Sequence, residues 1–314
     1  MAAPGSAAPA VSVVTAAYNA EAFLRDTIES VLAQSFPDFE HVVVDDGSTD
    51  GTPDLVASYG PPVRLVRQAN GGPANARNTG IRAARGRFVA FLDHDDLATP
   101  DRLACTMEVV ARHPDAAWVY GDAVYFDHTT GKEMHRASAF APLREGDVLA
   151  PLLLGNFIPF STAAVRRDVF DRVGFFDERR ARVHIDDWDL WVRVAPHYAA
   201  HVVRAPLLRY RWHGTQATQR MDLDEALANR LDLIHTAAAQ HPERLARRLP
   251  AAEAAAYLAI GRLWLSRGEA ARARGCFVQS VRRHPLDVHA WTFLGGASIP
   301  RGLRRALGRL RRKA

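Results

Sequence analysis

At 314 residues, 48% apolar and 24% charged, the chain is long enough for one large domain or two and has an ordinary globular composition. Two cysteines, Cys105 and Cys276, rule out a disulfide framework and point to reduced thiols in a cytosolic chain, and no run reaches the ~18 apolar residues of a membrane span. The net charge of +5 is uneven: residues 241–314 hold 16 Lys/Arg against 4 Asp/Glu, whereas residues 1–240 hold 24 against 31, which argues against a chain-wide nucleic-acid surface.

Residues 1–10 have neither a basic residue nor an apolar core, so they read as a disordered leader and not a signal peptide. Val11 to Thr15 is a β-branched run and predicts a first strand, followed by the loop Ala16-Ala17-Tyr18-Asn19. Glu21 to Gln34 carries Phe23, Leu24, Ile28, Val31 and Leu32 at helical spacing, and Phe36-Pro37-Asp38 ends it. Glu40 to Val44 predicts a second strand that runs into the acidic turn Asp45-Asp46-Gly47-Ser48-Thr49-Asp50-Gly51. A short helix over 52–59 and a strand over 63–66 follow. This alternation predicts βαβ units and a mostly parallel sheet.

Gly71 to Ile81 opens the next helix, with Arg77 and Asn78 near its first turns, where an anion is welcome. Its glycine spacing matches neither the dinucleotide nor the P-loop pattern. The apolar run Phe88 to Leu92 reads as a buried strand and ends in Asp93-His94-Asp95-Asp96. Ligands of open α/β sheets bind beyond the carboxyl ends of the strands. Carboxylates gathered there repel one another unless a cation joins them, and Mg²⁺ or Mn²⁺ shared with a phosphate fits. The competing reading is a solvated acidic turn capping the next helix. Further strands are predicted over 116–122, with 124–126 continuing after a bend, and over 157–165, with a helix over 166–173. Ile185 to Val194 predicts a helix that starts with acids, which suits its positive end. Two late extended pieces, 202–203 and 207–211, precede Trp212-His213-Gly214-Thr215.

From about residue 220 the composition turns to Ala, Leu and Arg. Residues 221–298 are expected to form a helical appendage, with one tetratricopeptide-like hairpin between Gly261 and Pro285. Residues 299–314 hold seven basic residues and no acid, with Leu303, Leu307 and Leu310 forming one helical stripe. That pattern predicts a basic amphipathic tail suited to peripheral contact with an anionic membrane face.

The blocks Val11–Asn19, Val42–Gly51, Gly71–Ile81, Phe88–Arg102 and Ile185–Arg193 occur in the order found in family 2 glycosyltransferases of the GT-A fold, and within them Val44–Asp50, Ala76–Gly80 and Leu92–Asp96 resemble that family's most recognisable phrases. The chain resembles that family over about residues 10–215. The resemblance implies an α/β, GT-A type mostly parallel sheet flanked by helices over residues 11–220, with a nucleotide-sugar site at the C-terminal edge. It implies an inverting transfer from a nucleotide-diphosphate sugar, a UDP-sugar above all, to a carbohydrate or lipid-linked acceptor in cell-surface polysaccharide or glycoconjugate synthesis. Asp46 would accept from the base, with Asp45 a second choice, and Ala16 and Tyr18 would line the nucleotide side. Arg77 would reach the base or diphosphate, and Asn78 is divided between the donor and helix capping. Asp93 and Asp95 match the Asp-x-Asp motif: Asp93 for the ribose or a metal-bound water, Asp95 for Mg²⁺ or Mn²⁺ on the diphosphate, while Asp96 would cap the next helix. His94 stands where the family often has a small residue. Asp187 would be the general base; Asp186 replaces the family's commoner Glu and is second in line. His213 would touch phosphate or metal. A nucleotidyltransferase and a non-catalytic carbohydrate-binding scaffold are the rival readings. The first is disfavoured because no glycine-rich basic loop follows the first strand, the second because the acids are intact.

Overall fold

The computed structural model describes residues 8–181, 183–214 and 221–298. Its contacts divide the chain into two compact units, Met1–Leu149 with Phe157–Gln219 and Ala150–Asn156 with Arg220–Ala314. The basic segment 299–314 and most of the 1–10 leader lie outside the described residues, as does the loop following His213 and Gly214.

The first unit is built on a nine-stranded sheet. Its strands are β1 (Val11–Ala17), β2 (Phe39–Asp45), β3 (Val63–Arg67), β4 (Phe88–Phe91), β5 (Leu97–Ala98), β6 (Trp118–Asp127), β7 (Glu133–Arg136), β8 (Ala164–Arg166) and β9 (Ala200–Trp212). They run in the order β3-β2-β1-β4-β8-β6-β9-β5, with β7 paired to β6. β3, β2, β1 and β4 are parallel, as the strand–helix alternation predicts. β8 then enters antiparallel between β4 and β6. It is only three residues long; most of the extended run expected over 157–165 is instead a 3₁₀ turn at Phe160–Thr162 and loop. The two late extended pieces are one 13-residue strand, β9, which pairs parallel with the whole of β6.

Helices α1 (Glu21–Leu32), α2 (Thr52–Ala57), α3 (Pro73–Ala83) and α4 (Arg102–Arg112) connect the strands, and α5 is Leu149–Leu154. Helices α6 (Val169–Val173), α7 (Glu178–Ala181) and α8 (Asp186–Val194) follow β8. α1 buries Leu24, Ile28 and Val31 of the five apolar residues its spacing singles out, at about 2 kcal/mol per large side chain, while Phe23 is half-buried and Leu32 exposed. α3 crosses close to β1: a Cβ on Gly80 would lie 2.3 Å from Val14 Cγ1, so only glycine lets this helix seat on the sheet. An aromatic group of the buried Phe91, Phe176, Trp118 and Trp191 and the half-buried Phe160 backs the region between β4 and α8.

The second unit contains α9 (Leu223–Gln240), α10 (Pro242–Leu245), α11 (Leu249–Ser266), α12 (Ala270–Arg283) and α13 (Val288–Ser298). α9 begins with the Asp222 carboxylate accepting from the amides of Asp224 and Glu225, an N-cap worth about 1 kcal/mol. Phe277 of α12 packs over Gly261 of α11, where a Cβ would meet its ring at 2.5 Å. Ser280 Oγ donates to the Ala254 carbonyl at 2.8 Å, and Glu253 joins His235 and Arg283 at 2.6 and 2.7 Å. The helical hairpin expected from Gly261 to Pro285 is thus α11 and α12, joined through Gly268, whose φ of 84° is the left-handed value glycine tolerates. No helix of the described residues is long and apolar enough to cross a membrane.

Candidate donor and catalytic site

The C-terminal ends of β1, β2 and β4 open into one cavity of about 600 Å³. Ala16 and Tyr18 from the end of β1 line it, with Asp46 from the end of β2. Asp46 is nearly buried, and its orientation is fixed. Oδ1 accepts from Gln68 Nε2 at 2.7 Å and the Gly71 amide at 2.9 Å, and Oδ2 from the Gly72 amide at 2.8 Å. Gly72 presents that amide at φ 85°, a conformation in which glycine is unstrained. A carboxylate offers about four acceptor sites, so one remains for a ligand N–H. Asp45, by contrast, does not line the cavity: it is fully buried, accepts from the Ser48 amide at 3.1 Å and pairs with Arg67 at 3.2 Å. Its place is in bracing the turn. Asn78 also faces away, its side-chain amide exchanging hydrogen bonds with the backbone of Phe176 at 2.9 and 3.0 Å.

Arg77, expected at the base or diphosphate, lines the cavity with its guanidinium engaged by protein acids. It reaches Asp186 at 2.6 Å and Asp93 at 3.0 Å, and lies over the Phe160 ring at 4.1 Å. Burial works against its charge, but Asp186, Asp93 and Asp187 outweigh it and push its pKa above the ordinary arginine value. Arg77 therefore ties the acidic end of β4 to the start of α8.

The acids after β4 divide by environment. Asp93 and Asp95 line the cavity. The Asp93 amide donates to Ser161 Oγ at 3.0 Å. Asp96 is 1% exposed and does not cap α4, the role expected for it. The position before α4 is Asp101, and Asp96 Oδ1 instead accepts from the Arg211 amide of β9 at 3.1 Å. Burial, with Asp95 and Asp93 alongside, raises its pKa well above the carboxylate range. The Arg211 guanidinium donates to the Asp95 carbonyl at 2.8 Å and pairs with Asp26 at 2.9 Å, so β9 is fastened to the acidic loop. His213, at the end of β9, sets Nε2 3.0 Å from Asp95 Oδ2, the neighbourhood expected for it. His94 lines the cavity, while its carbonyl accepts from Thr27 Oγ1 at 2.8 Å.

The pair at the start of α8 also separates. Asp186 is 3% exposed and held by Arg77. Asp187 is partly exposed and faces the cavity, with Oδ1 accepting from the Trp188 amide at 2.7 Å. His184 precedes them in the left-handed region, φ 51°, and burial lowers its pKa so that it is neutral near pH 7. Sequence reasoning missed Gln68, Phe160, Ser161 and His184. Each is set by a contact across the fold, and none sits in a local pattern.

Among the described residues, no three His, Cys, Asp or Glu side chains gather into a self-sufficient metal cage. A divalent cation does not need one here, because Mg²⁺ usually takes one or two protein carboxylates and fills its shell with phosphate and water. The hard oxygens of Asp95, and of Asp93 beside it, fit that demand.

A mostly parallel α/β sheet with carboxylates gathered beyond its strand ends has its cavity where ligands of open α/β sheets bind. The chain belongs to glycosyl transferase family 2, whose model matches residues 12–174. It is 30% identical over 226 residues to an uncharacterized glycosyltransferase of Rickettsia typhi, covering 67% of this chain and 66% of that protein. A match to another from Rickettsia felis, at 28% identity, covers only 36% of that protein's length. In fold it is similar to residues 1–349 of Staphylococcus aureus TarS in complex with UDP-GlcNAc: TM-score 0.57, 17% identity, 87% of this chain and 89% of that one. It is also similar to a Pyrobaculum calidifontis mannosyltransferase in complex with GDP-Man and Mn²⁺: TM-score 0.55, 22% identity, 92% and 85% covered. These likenesses establish the GT-A fold that the motif order implies.

Proposed function

We propose that the chain is an inverting glycosyltransferase that moves a sugar from a UDP-sugar to an acceptor hydroxyl by one direct displacement. The observation that carries this reading is the arrangement at α8: Asp186 and Asp187 line one cavity with Asp46, Asp93 and Asp95, and of the two Asp186 is buried and engaged by Arg77 while Asp187 is partly exposed. The acceptor oxygen bonds to the anomeric carbon as the bond from that carbon to the diphosphate breaks, and the acceptor proton passes to Asp187. Proton removal by a positioned carboxylate is worth roughly 10²–10⁴-fold. Asp46 orients the base through its remaining acceptor site, and Arg77 holds Asp93 and the start of α8 in register. Mg²⁺ or Mn²⁺ held by Asp95, with Asp93 and His213 nearby, would supply Lewis-acid stabilisation of the leaving diphosphate. No enzyme nucleophile is required.

The proposed setting is the cytoplasm and synthesis of a cell-surface polysaccharide or glycoconjugate on a carbohydrate or lipid-linked acceptor. Seven basic residues among 299–314 support peripheral contact with anionic lipid. Co-sedimentation with anionic liposomes at low and high salt, with and without that segment, checks the contact.

The test of the reaction is Asp187→Asn, in which the amide keeps the shape of the side chain and cannot take the proton. The variant is expected to bind UDP as the native protein does and to lose turnover, the loss falling on kcat. A near-native kcat in a folded variant moves the base elsewhere, with Asp186 the first candidate. Stabilisation by nucleotide sugars identifies the donor, since a ligand at a hundred times its Kd adds about 2.7 kcal/mol.

A further inference from the structure

A row of aromatic side chains leaves the cavity at the end away from Asp46. In the register of the sheet, Tyr210 of β9 lies opposite Tyr125 of β6, and Tyr125 opposite His135 of β7. Their ring centroids are 4.6 Å and 4.7 Å apart. Phe140 extends the row, perpendicular to His135 at 4.7 Å. Tyr125 and Tyr210 line the cavity, while Phe140 is 75% exposed. The row is therefore continuous from the cavity to open surface.

Three features set it apart from ordinary cross-strand packing. First, a ring as large as Phe140, left three-quarters in water at the end of an ordered row, gains little from the fold. Second, among the described residues neither the Tyr125 hydroxyl nor the His135 ring nitrogens make a protein hydrogen bond. Burial, with Asp96 and Asp122 nearby, raises the Tyr125 pKa, so its hydroxyl remains a donor. Third, the strand order fixes which end of the cavity this is. Asp46 follows β2, the Asp93–Asp95 acids follow β4, and the row crosses β6 and β9 on the far side of β4. A donor laid from Asp46 to Asp95 directs its sugar towards the row.

We propose that this row is an acceptor subsite for a saccharide, with Tyr125 and His135 hydrogen-bonding hydroxyls of a pyranose whose apolar face rests on Phe140. A pyranose presents C–H groups on one face and hydroxyls around its rim. Aromatic bodies with polar tips match both. The inference rests on the glycosyl-transfer reading above, and names the chemistry and the residues on the acceptor side.

The test uses the full chain in the presence of UDP and Mn²⁺, with cellobiose, chitobiose and lactose as probes and octanol as an apolar control, all followed by saturation-transfer NMR. The native protein is expected to bind at least one disaccharide. Phe140→Ala and His135→Ala should each weaken that binding, Phe140→Ala by roughly three- to tenfold, the range of one aromatic contact. Phe140→Trp should restore it. UDP affinity, measured by calorimetry, should stay within about twofold in every variant, because neither residue lines the donor end. Phe140 lies in water, so its replacement leaves the fold intact. The subsite is wrong if no disaccharide binds the native protein, if both alanine variants bind as well as the native chain, or if octanol binds in place of the sugars. Failure of UDP to bind the native protein would instead overturn the donor reading.

Discussion

Arg77→Met removes the guanidinium that joins Asp93 to Asp186 and keeps most of the side chain's length. The Arg77 side chain is 15% exposed, that of Asp186 4% and that of Asp93 33%. The two pairs therefore do not weigh equally. Asp93 is screened by solvent, whereas Asp186 would be left buried without a countercharge. Breaking a buried pair by deleting one partner costs about 3–5 kcal/mol, and a desolvated cation over an aromatic ring adds up to about 2. Methionine returns some of this by packing on Phe160, so the expected loss is about 3 kcal/mol. Lysine carries the charge but not the planar fork that serves two acids and stacks on a ring; Arg77→Lys should lose about half as much. Urea unfolding of the full chain, followed by tryptophan fluorescence, reads the effect. Trp118, Trp188 and Trp191 are buried in the same unit, and Trp118 stacks on Trp191 at 5.7 Å. In a double-mutant cycle, Asp186→Asn should couple to Arg77→Met by at least about 1 kcal/mol. A loss below about 1 kcal/mol for Arg77→Met, or additivity in the cycle, would refute the view that Arg77 is a buried clamp.

Asp95→Ala should abolish the gain in UDP affinity that Mn²⁺ brings, as measured by titration calorimetry with and without the ion; an unchanged gain removes Asp95 from the metal role. His41 gives a pH prediction. It is fully buried against Thr15 Oγ1 at 3.0 Å, and burial, with Arg102 nearby, lowers its pKa from 6.5 to about 3. Between those values the unfolded chain holds a proton that the folded chain refuses, so stability falls as pH drops below about 6.5, by about 1 kcal/mol per pH unit. His41→Gln should flatten that part of the profile, and parallel urea midpoints for the two proteins from pH 7.5 to 4.5 would contradict the assignment.

Much of the fold is legible in the sequence because its signals are local. The runs Val11–Thr15, Glu40–Val44 and Phe88–Leu92 are rich in β-branched and aromatic residues, as buried strands are, and all four parallel strands lead into loops that line the cavity. Asp46, Asp93 and Asp95 follow strands whose pattern is plain and Asp187 stands in the acidic start of a predicted helix, so their positions are legible locally, while the roles expected for them come from the motif resemblance. What the sequence withholds is pairing at a distance. Arg77 and Asp186 are 109 positions apart, and Asn78 and Phe176 are 98 apart. No periodicity connects them. The antiparallel β8, three residues long, is too short to carry a pattern of its own. The aromatic row is invisible for a related reason, since its register depends on bulges in β6 and on β7 folding back against it.

The loop after β4 also explains why a motif alone does not assign roles. Asp93, Asp95 and Asp96 lie within four positions and are chemically identical until their neighbours are counted. Asp93 meets Arg77, Asp95 meets His213 at the cavity wall, and Asp96 turns inward to the backbone of β9. The same rule distinguishes Asp186 from Asp187 one residue apart: both line the cavity, but Asp186 is buried and held by Arg77 at 2.6 Å, while Asp187 is partly exposed. A base needs a free face toward the hydroxyl it deprotonates, and a carboxylate held at 2.6 Å by a buried guanidinium has lost that face. On the reading proposed above, this favours Asp187 over Asp186 as the base, and it makes Arg77 the residue whose removal would blur the distinction. With the clamp gone, Asp186 would lose its guanidinium partner and stand in the cavity lining as a carboxylate able to compete with Asp187 for the acceptor proton.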